Sequence, residues 1–251
     1  MDVCSMQKTG RFLEIDFFRG LAIIMMVISN FVTDLKYFLG YSDYLLFWSF
    51  FALFVASSFV FISGVSFNVS FSKKVASQNL TYKSYFNRFL KLSVIAVVIT
   101  AVTAYFLTSG TIYFGIMHFL AISGILGIIF YRFKKLNLFF SVIFLILGVL
   151  FSEIVLDTYC LLPFGILPNN FYTLDYFPIF PWFGVYLLGM SFSEKYYKNG
   201  VSRHSFEIFK TGFFNKICIL GQNTLIIYII HQPVLVGLLI LKYGIFSKIA
   251  L

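Results

Sequence analysis

The chain has 251 residues, of which 60% are hydrophobic and 12% charged, with a formal net charge of +9 and a mean hydropathy of +0.90. A soluble domain carries about 25% charged residues, because its surface must be wetted. The composition therefore excludes a soluble globular enzyme, a disordered chain, a collagen-like fibre and a disulfide scaffold, and leaves a polytopic membrane protein.

Residues 1–16 are polar and mixed in charge, and no small-residue cleavage site follows the first apolar run, so that run is expected to be retained. Spans are predicted at 17–35, 44–67, 89–107, 112–130, 137–156, 177–193 and 222–241. Each is long enough to be a transmembrane helix, and lipid offers apolar segments of this kind no other spanning form. Pro178 and Pro181 fall at the start of the sixth, where the first turn has N–H groups to spare. The expected fold class is all-α: an integral membrane bundle of about seven transmembrane helices in a single domain over residues 1–251.

Cations alternate along the connections. Of the 19 Lys and Arg residues, 16 flank the segments before span 1, between spans 2 and 3, 4 and 5, and 6 and 7. Only Lys36, Lys242 and Lys248 remain for the other face. By the positive-inside rule the N-terminus is cytoplasmic and the C-terminus outside, in a multi-pass protein of the cell membrane. The same split explains the basic charge without nucleic acid. Residues 157–176 lack Lys and Arg and form the longest external segment, long enough to cover a site. Residues 194–216 interleave Lys195, Lys198, Arg203, His204, Lys210 and Lys216 with Phe206, Phe209, Phe213 and Phe214, as expected of a piece lying along inner headgroups, and Gly221 is expected to separate it from the last span. Cys4, Cys160 and Cys218 are too scattered for a disulfide framework, and no metal spacing occurs.

The informative residues are those that lipid penalises. A charge at mid-bilayer costs at least ~2.5 kcal/mol and normally faces a partner or a cavity. Asp16, Arg19, Ile23, Met26, Asn30 and Asp34 recur at intervals of three and four, so they share one face of the first helix. Asn30 falls about 20 Å from the inner end of that span. His118 lies about 9 Å below the outer end of span 4, counted from Ile112. His231 lies mid-way in span 7, one turn after Tyr228 and ahead of Gln232 and Pro233; the proline frees the carbonyl of Ile229. Asp175 and Tyr176 stand just outside span 6. Asn30, Asp34, His118, Asp175 and His231 thus fall at the outer half or centre of the membrane and are expected to converge on one polar site. Simpler readings exist for each. Asp16 and Arg19 read first as a snorkelling anchor pair, Asn30 as an interhelical hydrogen bond, and a lone histidine as a packing residue. Ser57, Ser58, Ser63, Gly64, Gly115, Gly124, Gly127, Gly184 and Gly189 read as helix-packing positions.

Four blocks resemble the heparan-alpha-glucosaminide N-acetyltransferase-like membrane family. They are Glu14-Ile15-Asp16 through Arg19-Gly20-Leu21-Ala22-Ile23-Ile24-Met25-Met26; Tyr113-Phe114-Gly115-Ile116-Met117-His118; Asp175-Tyr176-Phe177-Pro178 with Pro181-Trp182-Phe183-Gly184; and Gly221-Gln222-Asn223-Thr224-Leu225 with Tyr228 and His231-Gln232-Pro233. The resemblance covers about residues 11–241 and implies a short, prokaryotic-type member. It implies acyl transfer from cytosolic acetyl-CoA, as a co-substrate and without a metal, to a hydroxyl or amino group of a sugar-like or envelope acceptor at the outer side. His118, Asn30 and His231 would be catalytic, Asp34, Asp175 and Tyr228 would meet the acceptor, and Arg19, Arg88 and Lys91 would meet the CoA phosphates. The family's lysosomal enzyme has a catalytic histidine in the loop after its first span, whereas Lys36 to Asp43 contains none. A covalent acetyl-histidine there is not carried over, and direct transfer with a histidine as general base is the expectation. The expected partners are membrane lipids and a small-molecule or glycan acceptor, and a homo-oligomer is compatible with this reading. The alternative is a transporter of a small-molecule or lipid-linked substrate that uses the same buried His and Asp residues; an odd span count without a visible repeat argues against it.

Overall fold

The computed structural model describes residues 12–107, 109–197 and 212–244. The described residues form eight α-helices: α1 (Leu13–Leu39), α2 (Leu45–Ala76), α3 (Tyr82–Phe106), α4 (Ile116–Tyr131), α5 (Asn137–Ser152), α6 (Ile179–Tyr196), α7 (Gly212–Gln222) and α8 (Thr224–Tyr243). Extended pairing among them is confined to two isolated bridges, Gly110 with Thr173 and Val155 with Leu167. Five segments are long and apolar enough to cross a membrane: α1, α2, α3, α8, and Lys134–Ser152, which contains α5. At 1.5 Å per residue, α4 with 16 residues extends about 24 Å, short of the ~30 Å hydrocarbon core.

The exposed faces identify the solvent. Leu46, Phe50 and Phe54 on α2, Phe139, Val142, Ile146 and Val149 on α5, and Ile226, Ile230, Val234 and Leu238 on α8 recur at helical spacing and are all largely exposed. Apolar stripes this long have no place on a water-facing surface and suit lipid.

The chain divides into two compact units, one of residues 1–62 with 202–248 and one centred on 63–201. In the first, α1 packs against α7 and α8. The crossing of α1 and α7 is a backbone contact: a Cβ at Gly221 would overlap the carbonyl oxygen of Asp16, and one at Gly20 would overlap that of Ile217. Gly221, expected to separate two segments, lies inside α7 instead, because only glycine lets the two backbones meet. The break falls two residues later at Asn223, whose φ of −106° and ψ of 19° leave the helical range. Ile23, Met26 and Val55 fill the space behind, with Phe51, Phe59, Ile227 and Tyr228 around them.

In the second unit, α5 and α6 pair closely. Ser141 donates to the carbonyl of Gly184 at 2.8 Å, and Gly148 lies on Pro181. Phe130, Phe144, Phe180 and Phe183 join edge to face or stacked, with Phe183 over Tyr186 at 5.6 Å; such pairs contribute about 0.5–1.5 kcal/mol each beyond burial. Phe180 is extended, as a residue before proline prefers, and the two prolines mark the start of α6. Gly64 against the Tyr186 carbonyl and Gly127 against the Phe67 ring are packing positions, whereas Gly124 faces open space.

Several predicted boundaries change. The first helix runs over Leu13–Leu39 and not 17–35, the second continues to Ala76 and not 67, and the fifth stops at Ser152 and not 156. The third helix begins at Tyr82, seven residues before 89, because the run Tyr82–Arg88 has no helix breaker to stop it. The fourth begins at Ile116 and not at Ile112, since Gly115 is extended (ψ −174°). The segment before the last span holds the separate helix α7. Cys4, Lys198, Arg203, His204, Phe206, Phe209, Lys210 and Lys248 lie outside the described residues.

Candidate functional site

In the first unit the polar stripe of α1 meets α8 rung by rung. At one end, Arg19 approaches Asp16 at 3.5 Å and donates to the Thr224 hydroxyl at 2.8 Å. Thr224 in turn donates to the carbonyl of Gly221 at 3.1 Å, closing the α7–α8 elbow. Further along, Asn30 Nδ2 is 2.8 Å from His231 Nε2 and 3.1 Å from the Met26 sulfur. One turn beyond, Gln232 donates to Asp34 Oδ1 at 2.6 Å, while Asp34 Oδ2 is buried without a hydrogen-bond partner. Asp34 is 4% exposed. His231 Nδ1 lies 2.6 Å from the carbonyl of Tyr228, and not of Ile229. A carbonyl can only accept, so Nδ1 carries the hydrogen and Nε2 presents its lone pair to Asn30.

In the second unit His118 is the third residue of α4, in its first turn, and not 9 Å down the helix. The Gly115 N–H donates to its Nδ1 at 3.3 Å. Its Nε2 lies 3.4 Å from Thr100 Oγ1, whose own hydrogen is given to the carbonyl of Ile112 at 2.6 Å. The tautomer is therefore Nε2–H, opposite to that of His231. Asp175 Oδ2 accepts from the Ile116 N–H at 3.0 Å, at the positive end of α4. The carboxylate reaches this place because Gly115 has no Cβ to obstruct it. Burial pushes the Asp175 carboxyl up to about 6, and the Ile116 N–H pulls it only part of the way back. Burial also raises the Tyr176 phenol, which donates to the Leu162 carbonyl at 2.8 Å.

The sign of the Asp175 effect is fixed by that shift. Between about pH 4 and pH 6 the folded chain holds more protons here than the unfolded chain, so stability falls as pH rises through the window. Asp175→Asn keeps an oxygen for the Ile116 N–H but cannot ionise. The variant should therefore lose the decline in thermal midpoint between pH 4 and 6 and be more stable than wild type at pH 7. An unchanged pH profile in detergent-solubilised protein would contradict this.

Arg88 and Lys91 lie exposed on α3. Among the described residues no group of three or more His, Cys, Asp or Glu side chains stands together as a metal site. The structure thus joins Asn30 to His231, Asp34 to Gln232 and Arg19 to Thr224 in one unit, and Asp175 and His118 to the start of α4 in the other. Thr224, Gln232 and Thr100 join these contacts without a place among the candidate residues of the sequence. Gln232 was legible as a polar neighbour of His231, whereas a lone threonine in a helix gives no signal.

An all-helical membrane protein with histidines hydrogen-bonded inside its helices is the class that the fold and these rungs define. The profile described as heparan-alpha-glucosaminide N-acetyltransferase, catalytic, matches residues 11–233, and the chain belongs to that family. No curated protein and no solved structure matches it.

Proposed function

We propose that this protein is a membrane-embedded acyltransferase, moving an acetyl group from cytosolic acetyl-CoA to a hydroxyl or amino group of a sugar-like or envelope acceptor at the outer side. The observation that carries the reading is the 2.8 Å contact of Asn30 with His231 Nε2 inside a chain of this family. His231 offers a neutral imidazole lone pair to a side chain that can move, whereas the lone pair of His118 is held by a backbone N–H at the start of a helix. We therefore assign the base to His231 and the order of the α4 terminus to His118 and Asp175. In the step, the acceptor O–H or N–H proton passes to His231 Nε2 as the acceptor bonds to the acetyl carbon. The C–S bond breaks, and the proton then goes to the departing CoA sulfur. Asp34 and Tyr228 flank His231 for the acceptor. Arg19, Arg88 and Lys91 are the cations assigned to the donor phosphates, Arg by bidentate contact and Lys as a point charge.

The finer topology belongs to the same proposal: seven spans in the cell membrane, with the N-terminus cytoplasmic and the C-terminus outside. With Cys160 in its native place, an impermeant maleimide applied outside intact cells should label it, and a cysteine introduced at Lys216 should stay unlabelled. The reverse pattern would invert the topology.

The donor is tested by calorimetry of the purified full chain with acetyl-CoA. Arg88→Ala and Lys91→Ala should weaken binding several-fold with the thermal midpoint unchanged. Arg19→Ala should weaken binding and also lower the midpoint, because its guanidinium ties α1 to Thr224. Absence of binding in wild type, at concentrations where a homologue used as positive control binds, would favour the transporter reading instead.

A further inference from the structure

We propose that Asn30 is a positioning residue whose side-chain amide turns over as His231 gains and loses a proton, so that the imidazole is partnered in both states. The inference rests on the assignment of His231 as the base. Its ground is the hydrogen-bond logic around one ring. Nδ1 faces the Tyr228 carbonyl, so its hydrogen stays in place whether the ring is neutral or cationic. A proton can therefore enter only at Nε2, the atom that faces Asn30. The amide nitrogen of Asn30 also faces the Met26 sulfur, and a thioether, like the Nε2 lone pair, only accepts. Two acceptors on that side hold the NH2 group toward His231, which is the arrangement for a neutral imidazole.

Once Nε2 is protonated, N–H would meet N–H. A half-turn about the Cβ–Cγ bond removes the conflict by placing Oδ1 where Nδ2 was. The terminal torsion of asparagine is broad and two-fold, and the turn gives up only the weak contact to sulfur. A backbone N–H, such as the one that serves His118, has no such freedom.

Among the described residues, the charged and titratable groups that the contacts place near the ring are few. From α1 comes Asp34, one turn beyond Asn30 and held by Gln232; from α8 comes Tyr228, with its ring 5.4 Å from that of His231. The part of α2 that packs nearby supplies Phe51, Val55 and Phe59, and residues 45–62 contain no ionisable side chain. Asn30 is the side chain in contact with the nitrogen that titrates, so it sets whether the ring can be both neutral and cationic in the same place.

The test is a pH titration of the full chain in lipid nanodiscs with 15N-labelled histidine, the His231 signals being assigned by their loss in His231→Gln. Wild type should show a protonated Nδ1 and a lone-pair Nε2 at the basic end, with Nε2 converting on acidification. Asn30→Asp replaces an amide that can turn with a fixed acceptor. It should move the midpoint upward by a pH unit or more and lower transfer at pH 7 at least tenfold. Asn30→Leu, which removes the partner in both states, should keep the Nδ1–H tautomer and move the midpoint downward; it serves also if Asn30→Asp fails to insert. A neutral wild-type ring protonated at Nε2, or midpoints that the variants leave unmoved, would overturn the proposal. Because the titration is read without donor or acceptor, shifted midpoints in a protein that transfers no acyl group would sink the acyltransferase reading alone.

Discussion

His231→Gln should lower the turnover of acyl transfer by about 10²–10⁴-fold, the range a positioned general base contributes, while the protein still inserts and still binds acetyl-CoA. Gln is the informative substitution because its amide can occupy Asn30 and the Tyr228 carbonyl in place of the two ring nitrogens. His231→Ala would leave the Asn30 amide facing an empty space and cost about 1–3 kcal/mol of stability, which would confuse the result. A base acts on the step and not on the complex, so the loss should appear in kcat with KM little changed. His118→Gln should behave differently. It disturbs the acceptor of the Gly115 N–H at the start of α4, so its effect should appear as a lower thermal midpoint, with turnover reduced in proportion to the folded fraction. If His118→Gln abolishes turnover at an unchanged midpoint and His231→Gln does not, the assignment of the base is wrong.

Gly221→Leu should be the most destabilising single change among the described residues of α7. A Cβ at that position overlaps the Asp16 carbonyl and closely approaches the Gly20 backbone nitrogen, at 2.9 Å, so the obstruction is backbone and cannot rotate away. Forcing atoms into a filled space typically costs about 1–3 kcal/mol and more where backbones must separate. Separation here would also pull Thr224 from Arg19, since α7 leads directly into α8. Even Gly221→Ala should lower the thermal midpoint clearly. Gly124→Ala is the control: nothing lies within 4 Å of its added methyl, and alanine is preferred over glycine in a helix by about 0.5–1 kcal/mol. A Gly221→Leu protein as stable as wild type would mean that α1 and α7 do not cross as described.

Much of this molecule follows from local sequence. Hydropathy alone requires membrane helices, because lipid leaves an apolar run no other way to satisfy its backbone. The spacing of Asp16, Arg19, Asn30 and Asp34 puts them on one face of α1 by the period of the helix, and three of them have partners across on α8. The meeting of Asn30 with His231 was legible from their similar depth, but that Thr224 would answer Arg19 and Gln232 would answer Asp34 was not, since periodicity says which residues share a face and nothing about which helix answers it. The same limit misplaced His118. The apolar run from Ile112 reads as continuous, yet α4 starts at Ile116 because the Asp175 carboxylate, 59 residues away in the chain, occupies the space beside Gly115 and takes the Ile116 N–H. Gly221 likewise reads as a breaker in sequence and serves as a crossing point in space. A residue's chemical type and its helical period are local properties, fixed by the chain itself. The tautomer of a histidine, the start of a helix and the use of a glycine depend on atoms brought from elsewhere, and only the tertiary structure supplies those.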